Sequence, residues 1–307
     1  MVIQVAIVGL GKIAHDQHIP AIAASGEFEL VAAASLAGTI EGVPVFETVD
    51  ALLNAGIAID AIAMCQPPQA RFEAAAKAVR AGKHVLLEKP PGATLAEVEA
   101  LTRLAEASGT TLFAAWHSRY ASGVDQARAW LAEREIRRVD IVWKEDVRRW
   151  HPGQQWIWEP GGFGVFDPGI NALSIATHVL PQHFYLRDGR LEIPSNRAAP
   201  IAAELQMVGI DGAPVHAVFD WRQQGPQTWD ITAETEAGTL LLRAGGARLA
   251  IDGVERDVGP ECEYPEIYAR FALLISEARS DVDRTPLRLV ADAFTRCRQI
   301  RVDPFDD

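Results

Sequence analysis

The sequence predicts an α/β Rossmann domain followed by an α+β domain with an open-faced, mostly antiparallel sheet. Three observations carry this. Strand and helix patterns alternate through the first third of the chain, and a glycine fingerprint closes the first strand. Beyond about residue 118, short strands follow one another, with Asp211-Gly212 and Gly245-Gly246 as hairpin turns. A length of 307 residues fits two such domains, 1–118 and 119–307, joined without a long linker.

The elements follow from the pattern of apolar residues. Val2–Val8 is an apolar run closed by Gly9, as in a buried strand, and helical pattern follows to about Ser25. Phe28–Ala34 reads as a strand, Thr48–Ala55 as a short helix and Ile59–Cys65 as a strand. Over Gln69–Ala81, Phe72, Ala75, Ala76 and Val79 recur on one helical face, and Gly82 ends the helix. His84–Leu87 is a strand. Thr94–Ser108 is a helix whose Thr94 and Glu97 form a capping box, and Thr111–Trp116 is the last strand of the domain. In the second domain a helix over Val124–Glu133 precedes a strand at Val139–Trp143. Further strands are predicted at 202–210, 215–221, 229–236, 239–243 and 248–251, antiparallel by connection length. Helices return at 265–279 and 286–301.

Composition narrows the function classes. Hydrophobic residues make up 49% of the chain, enough for a sizeable core, and the net charge is −12. Such a charge disfavours nucleic acid or an anionic membrane as partner and favours a small-molecule ligand. Three widely spaced cysteines with no Cys-x-x-Cys suggest reduced thiols and a cytoplasmic protein. The opening VIQVAIVGLG lacks a charged leader region, and no apolar run reaches membrane-spanning length.

GLGKIA, residues 9–14, follows a strand and opens a helix, the context that gives a glycine fingerprint its meaning. Gly9 permits the tight turn. Gly11 lets the backbone approach a pyrophosphate seated on the helix N-terminus. The ribose reader should stand about 20 residues on, at the end of the second strand. There the chain has Ser35-Leu36, with neither the carboxylate that favours NAD nor the arginine that favours NADP. Both cofactors are therefore expected, with a mild lean to NADP because Ser35 and Thr39 can donate to a phosphate. Lys12, Ile13, Gln66, Pro67 and Glu88 join Gly9, Gly11, Ser35 and Lys89 as cofactor-contact candidates. Lys89, in LLEKPPGA, would emerge at the carboxyl edge of the sheet with Pro90-Pro91 stiffening the chain behind it.

GGFGVFDPGIN, residues 161–171, sets Asp167 and Asn171 four apart, on one helical face. Asp167-Pro168 also reads as an N-cap followed by proline in the first turn. WKEDVRRWHPGQQWIW holds four of the eight tryptophans, beside Glu145 and His151. Indole faces suit sugar C–H faces, but most large aromatics are core. Trp150 and Trp229 are the pocket-wall candidates. His15 and His18 lack the further ligands a metal would need, and no metal site is expected.

GLGKIA, then EKP about eighty residues later, then a Gly-rich segment with Asp167, resemble the glucose–fructose oxidoreductase / inositol dehydrogenase (Gfo/Idh/MocA) family over essentially the full chain. The resemblance implies an NAD(P)-dependent sugar or cyclitol dehydrogenase with Lys89 near nicotinamide and substrate. In that family an Asp-x-x-x-His pair commonly supplies acid–base chemistry, whereas this chain has Asp167-x-x-x-Asn171. That departure is similar to the bacterial L-arabinose and D-galactose 1-dehydrogenases, whose pattern also matches His117, Glu145 and His151. It implies oxidation of a cyclic aldose at C1 to a lactone. Asn171 has no basic nitrogen, so Asp167 or Lys89 must take the proton. Another sugar or cyclitol oxidoreductase, and a catalytically silent sugar- or nucleotide-sensing regulator, stay open as alternatives. The second domain's sheet should present an apolar face and join at least a homodimer.

Overall fold

The structure, a computed structural model, describes residues 2–306. The chain divides into two compact units: residues 1–117 with 263–284, and residues 118–262 with 285–307.

Within the first unit, β1 (Ile3–Val8), a π-type turn (Ala14–His18), α1 (Ile19–Ala24), β2 (Phe28–Ala34), β3 (Val45–Phe46), α2 (Val49–Leu53), β4 (Ala61–Met64), α3 (Pro68–Arg80), β5 (His84–Glu88), α4 (Leu95–Ser108) and β6 (Leu112–Ala115) succeed one another. Among the described residues its sheet has the order β3-β2-β1-β4-β5-β6, with every neighbouring pair parallel. The interior strand β4 and the edge strand β6 are buried at every position, as a sheet covered on both faces demands. The strand order reverses between β1 and β4, and such a switch point is where ligands bind in open α/β sheets. Thr94 accepts from Glu97 N, and Glu97 returns a bond to Thr94 N, which completes the capping box.

The second unit contains α5 (Val124–Leu131), β7 (Ile136–Lys144), α6 (Val147–Trp150), α7 (Phe166–Val179), β8 (Phe184–Pro194), β9 (Ala202–Gly209), β10 (Pro214–Asp220), β11 (Thr228–Thr235), β12 (Gly238–Arg243), β13 (Arg248–Ile251) and β14 (Val254–Arg256). After α8 (Glu263–Ser276), which packs in the first unit, come α9 (Thr285–Arg296) and β15 (Arg298–Val302). The sheet order is β14-β13-β12-β11-β7-β10-β9-β8-β15. It is mixed: β10 runs parallel to β7, and β15 parallel to β8, while the other pairs are antiparallel.

Three expectations need correction. The helix α8 was expected in the second domain. Its apolar face instead packs on the Rossmann sheet, with Phe271 stacked against Phe28 and Phe113. The last helix stops at Arg296, because Arg298–Val302, with β-branched Ile300 and Val302, pairs with β8 and becomes the edge strand of the sheet. The sheet face away from the helices is not an apolar surface. On β10 Val215, Ala217 and Phe219 turn to the core, whereas His216 and Asp220 face outward. His216 meets Glu204, Arg190 meets Glu204 and Arg138 meets Asp140.

Candidate functional site

The loop after β1 is shaped for a dinucleotide. Gly9 has φ +95°, a conformation costly for any residue with a Cβ, and a Cβ there would stand 2.9 Å from Gln66 N. The fingerprint turn and the loop after β4 are thus pressed together at the switch point. A Cβ on Gly11 would meet nothing within 4 Å, so backbone N–H groups at this helical start stay open to a phosphate. The residues present fit a dinucleotide. Lys12 is exposed on the first turn and pairs with Asp16. Ile13 is half-buried, and Pro67 is exposed at the start of α3. Gln66 Oε1 is buried without a hydrogen bond.

Ser35 is less available than the sequence suggests. Its Oγ donates to Ala37 O and accepts from the N–H groups of Leu10 and Ala37, each at 3.3 Å. The hydroxyl proton is used inside the loop, so the lean to NADP loses its support from Ser35. Leu36 beside it is 91% exposed and carries no charge.

The EKP segment is held from within. Arg71, buried on α3, donates to the carbonyls of Gln66, Glu88 and Pro90, tying the loops after β4 and β5 to one side chain. Lys89-Pro90 is a cis peptide. Glu88 was expected to touch cofactor. Its carboxylate is turned inward instead: Oε1 accepts from Tyr264 OH at 2.7 Å and lies 3.0 Å from His18 Nε2, while Oε2 accepts from Lys89 N at 2.9 Å. His18 Nδ1 bonds Tyr268 OH at 2.8 Å. Burial alone would raise the Glu88 carboxyl, but the hydrogen bond and charge of His18, with His117 and Tyr264, hold it down at about 2. Burial also works against charge on His18. Cys65 and Tyr268, then hydrogen bonds to Cys65 and Glu88, outweigh it and raise His18 well above its ordinary value. The π-type turn swings His18 into this interior. His117 is likewise occupied, with Nδ1 2.6 Å from Glu263 Oε2 and its ring stacked on Tyr264. Burial would lower His117, and Glu263 raises it overall.

The second unit gathers Glu145, His151, Asp167, Trp150 and Trp229. Glu145 directly follows β7 and is 4% exposed. Trp221 donates its indole N–H to Oε1 at 3.2 Å and Trp229 donates to Oε2 at 2.9 Å. His151 follows α6, with Nε2 3.5 Å from Glu145 Oε1 and Nδ1 3.8 Å from Asp167 Oδ2. Asp167 is not the N-cap. The helix α7 opens on Val165, which makes no side-chain cap, and Asp167 lies inside the first turn. Gly164, φ +54°, lets this turn press on Pro200, whose O would be 2.3 Å from a Cβ. Pro168 is tolerated because first-turn N–H groups need no intrahelical acceptor. Asn171, half-buried, follows one turn later on the same face.

The tryptophans divide by burial. Trp143, Trp158 and Trp221 are core. Trp150 and Trp229 are half-buried and meet edge to face at 5.2 Å, forming a wall with one polar end at Gln227, which accepts from Trp150 Nε1 at 3.4 Å. Sequence reasoning missed Trp221, Gln227, Arg71, Tyr264 and Tyr268 as site-shaping groups. Only the tryptophan excess hinted at the first. The rest act through contacts between residues far apart in the chain.

A Rossmann unit with an open pyrophosphate turn, and a mixed-sheet unit carrying a carboxylate–imidazole cluster, define a dinucleotide-dependent oxidoreductase. Residues 3–115 match the oxidoreductase family, NAD-binding Rossmann fold. Over 305 residues the chain is 47% identical to galactose 1-dehydrogenase of Pseudomonas fluorescens, covering 99% of each chain. The chain belongs to the Gfo/Idh/MocA family of oxidoreductases. The solved D-galactose-1-dehydrogenase protein of Rhizobium etli superposes with a TM-score of 0.96 at 56% identity, covering 99% of this chain and 98% of that one. A 3-ketoreductase of Actinomadura kijaniata, solved with NADP and TDP-benzene, shares the fold at 21% identity and TM-score 0.86, covering 98% of this chain and 100% of the other. Among the described residues, no helix is long and apolar enough to cross a membrane.

Proposed function

We propose that this enzyme oxidises a cyclic aldose, D-galactose or L-arabinose in type, at C1 to the aldonolactone, using NAD⁺ or NADP⁺. The observation that supports it best is the clamp on Glu145. Two indole donors fix a buried carboxylate beside His151 and the half-buried Trp150–Trp229 wall. Such a combination suits a ring with one apolar face and several hydroxyls. The galactose 1-dehydrogenase relatives, similar over the full chain, point to the same substrate class.

Bound NAD(P)⁺ supplies the hydride acceptor. The chain supplies the rest: Asp167 and Lys89 take the C1-hydroxyl proton, and Asn171 donates to one sugar oxygen while accepting from another. Glu145 and His151 orient the ring, and Trp150 and Trp229 pack on it. Glu88, through Lys89 N, and Arg71, through Glu88 O and Pro90 O, keep the lysine segment in one conformation. His117, with Nδ1 held by Glu263, is a sugar contact in this reading. The setting is cytoplasmic and the enzyme a homo-oligomer.

The test is direct. Purified protein with either cofactor is offered D-galactose, L-arabinose and D-fucose, and reduced nicotinamide is followed by absorbance with lactone identified chromatographically. Turnover with at least one is expected. Cofactor binding without oxidation of any free aldose would overturn the reading.

A further inference from the structure

One atom of the second unit's cluster stands out. His151 Nδ1 is buried and makes no hydrogen bond, although Asp167 Oδ2 lies only 3.8 Å away. An unpaired buried polar atom costs on the order of 1–3 kcal/mol. The opposite nitrogen, Nε2, faces Glu145 Oε1 at 3.5 Å. Trp221 and Trp229 each donate to one oxygen of Glu145, so that carboxylate cannot turn away. Of the two carboxylates, Glu145 is the nearer and the one clamped in place, which favours hydrogen on Nε2 and leaves the Nδ1 lone pair towards Asp167. The helical position one turn beyond Asp167 holds Asn171, which cannot take a proton.

We propose that His151 is the terminal acceptor of the proton released from the sugar's C1 hydroxyl, reached through Asp167. This rests on the aldose reading above. The step balances. The C1–H electron pair leaves as hydride to the oxidised nicotinamide dinucleotide, and the O–H bond breaks as the C1 carbonyl forms. The proton passes to Asp167 and then to Nδ1. Asp167 returns to a carboxylate, His151 becomes an imidazolium, and Glu145 stabilises that charge across Nε2. Chemical type favours this order, since an imidazole holds a proton at neutral pH far better than a carboxylate does. The titratable side chains of the second unit that face the ring are Glu145, just after β7, and Asp167 on α7. Trp221 packs on it at 5.3 Å. Arg148 is turned to Phe305 and Asp306 O, and Arg149 lies over Trp150, so neither cation faces the imidazole.

Two arms test the proposal. In the first, nitrogen NMR of histidine-labelled protein, without sugar or cofactor, reads the ring tautomer. A bare Nδ1 with hydrogen on Nε2 is expected, and E145Q should weaken that preference. An Nδ1–H tautomer, or a ring doubly protonated at neutral pH, overturns the proposal whatever the substrate proves to be. In the second arm, H151Q should lower kcat by ~100-fold, on top of any rise in sugar KM from the lost ring contact. Asn171→His in that background should restore roughly tenfold or more. H151N is made alongside, in case Gln disturbs the contact with Trp221. Wild-type kcat with a raised KM in both single variants reduces His151 to a binding group and overturns the relay. If the wild type oxidises no aldose, the aldose reading falls, and the tautomer alone decides whether His151 is built to receive from Asp167.

Discussion

His18 Nε2 lies 3.0 Å from Glu88 Oε1, and both side chains are shut off from water. The pair ties the turn that follows the glycine fingerprint to the strand end that carries Lys89. The same carboxylate accepts from Tyr264, so α8, late in the sequence, closes the assembly.

The pair makes stability depend on pH from both sides. Glu88 is held below its ordinary 4.5, so its contribution is full above 4.5 and is lost as pH falls towards about 2. His18 is raised above its ordinary 6.5, so its contribution is full below 6.5 and is lost as pH rises through the raised value. The pair therefore stabilises most between 4.5 and 6.5. His18→Leu takes the imidazole from a buried carboxylate, leaving it Tyr264 OH and Lys89 N, and should cost about 3 kcal/mol near neutrality. Urea unfolding at a series of pH values should show this loss shrinking towards the acid and alkaline extremes. A pH-independent loss would mean that only packing was removed.

Gly9 and Gly11 should respond differently to alanine. At Gly9, φ +95° and the 2.9 Å approach to Gln66 N make any Cβ strained, so Gly9→Ala should lower the melting temperature and weaken cofactor binding together. Space is open at Gly11, so Gly11→Ala should leave melting unchanged. Its methyl would intrude where the pyrophosphate approaches, raising the cofactor Kd by roughly tenfold or more. Calorimetry of unfolding and of binding separates the two effects. Unchanged cofactor affinity in Gly11→Ala would place the pyrophosphate elsewhere.

Lys89→Ala and Asp167→Ala should each lower kcat by ~100-fold or more, as loss of acid–base function does. Asp167→Ala also removes an acid from the first turn of α7, where it meets the helix dipole, a loss of about 0.3–1 kcal/mol. Steady-state rates beside melting temperatures distinguish the roles. Near-normal kcat in Asp167→Ala would leave it only the dipole role.

Much of the first unit was legible because its signals are local. An apolar run closed by Gly9 marks β1, and Thr94 with Glu97 marks the start of α4, each within a few residues. The second unit was harder. The strand β15 depends on the free edge of β8, which no window around Arg298 reveals. Asp167-Pro168 resembles a cap, but packing at Gly164 starts the helix earlier. Asp167, Glu145 and His151 could be nominated singly, whereas the two indole N–H groups that lock Glu145 come from Trp221, which ends one strand path, and Trp229, which begins another. Likewise nothing near Glu88 in the sequence announces Tyr264. Contacts across such separations are set by topology, and local pattern does not encode them.

Cofactor choice should be permissive and easily moved. Selectivity for NAD usually rests on a carboxylate that accepts from both ribose hydroxyls and repels a 2′-phosphate, and selectivity for NADP on an arginine that pairs with it. Neither stands at the end of β2. Ser35 commits its proton to Ala37 O, and Leu36 projects into solvent at 91% exposure. Wild-type kcat/KM for the two cofactors should therefore differ by less than ~1,000-fold, about 4 kcal/mol. Ser35→Asp should shift the ratio towards NAD⁺: its carboxylate can still accept from the N–H groups of Leu10 and Ala37, and it adds like-charge repulsion against a phosphate. Leu36→Arg should shift it the other way, since the position is already exposed and the guanidinium can pair with the phosphate without displacing packed atoms. Each shift should reach roughly tenfold, or 1.4 kcal/mol. Measuring both ratios in both variants checks the placement of the ribose. If neither substitution moves the preference, the adenosine ribose does not lie against this loop.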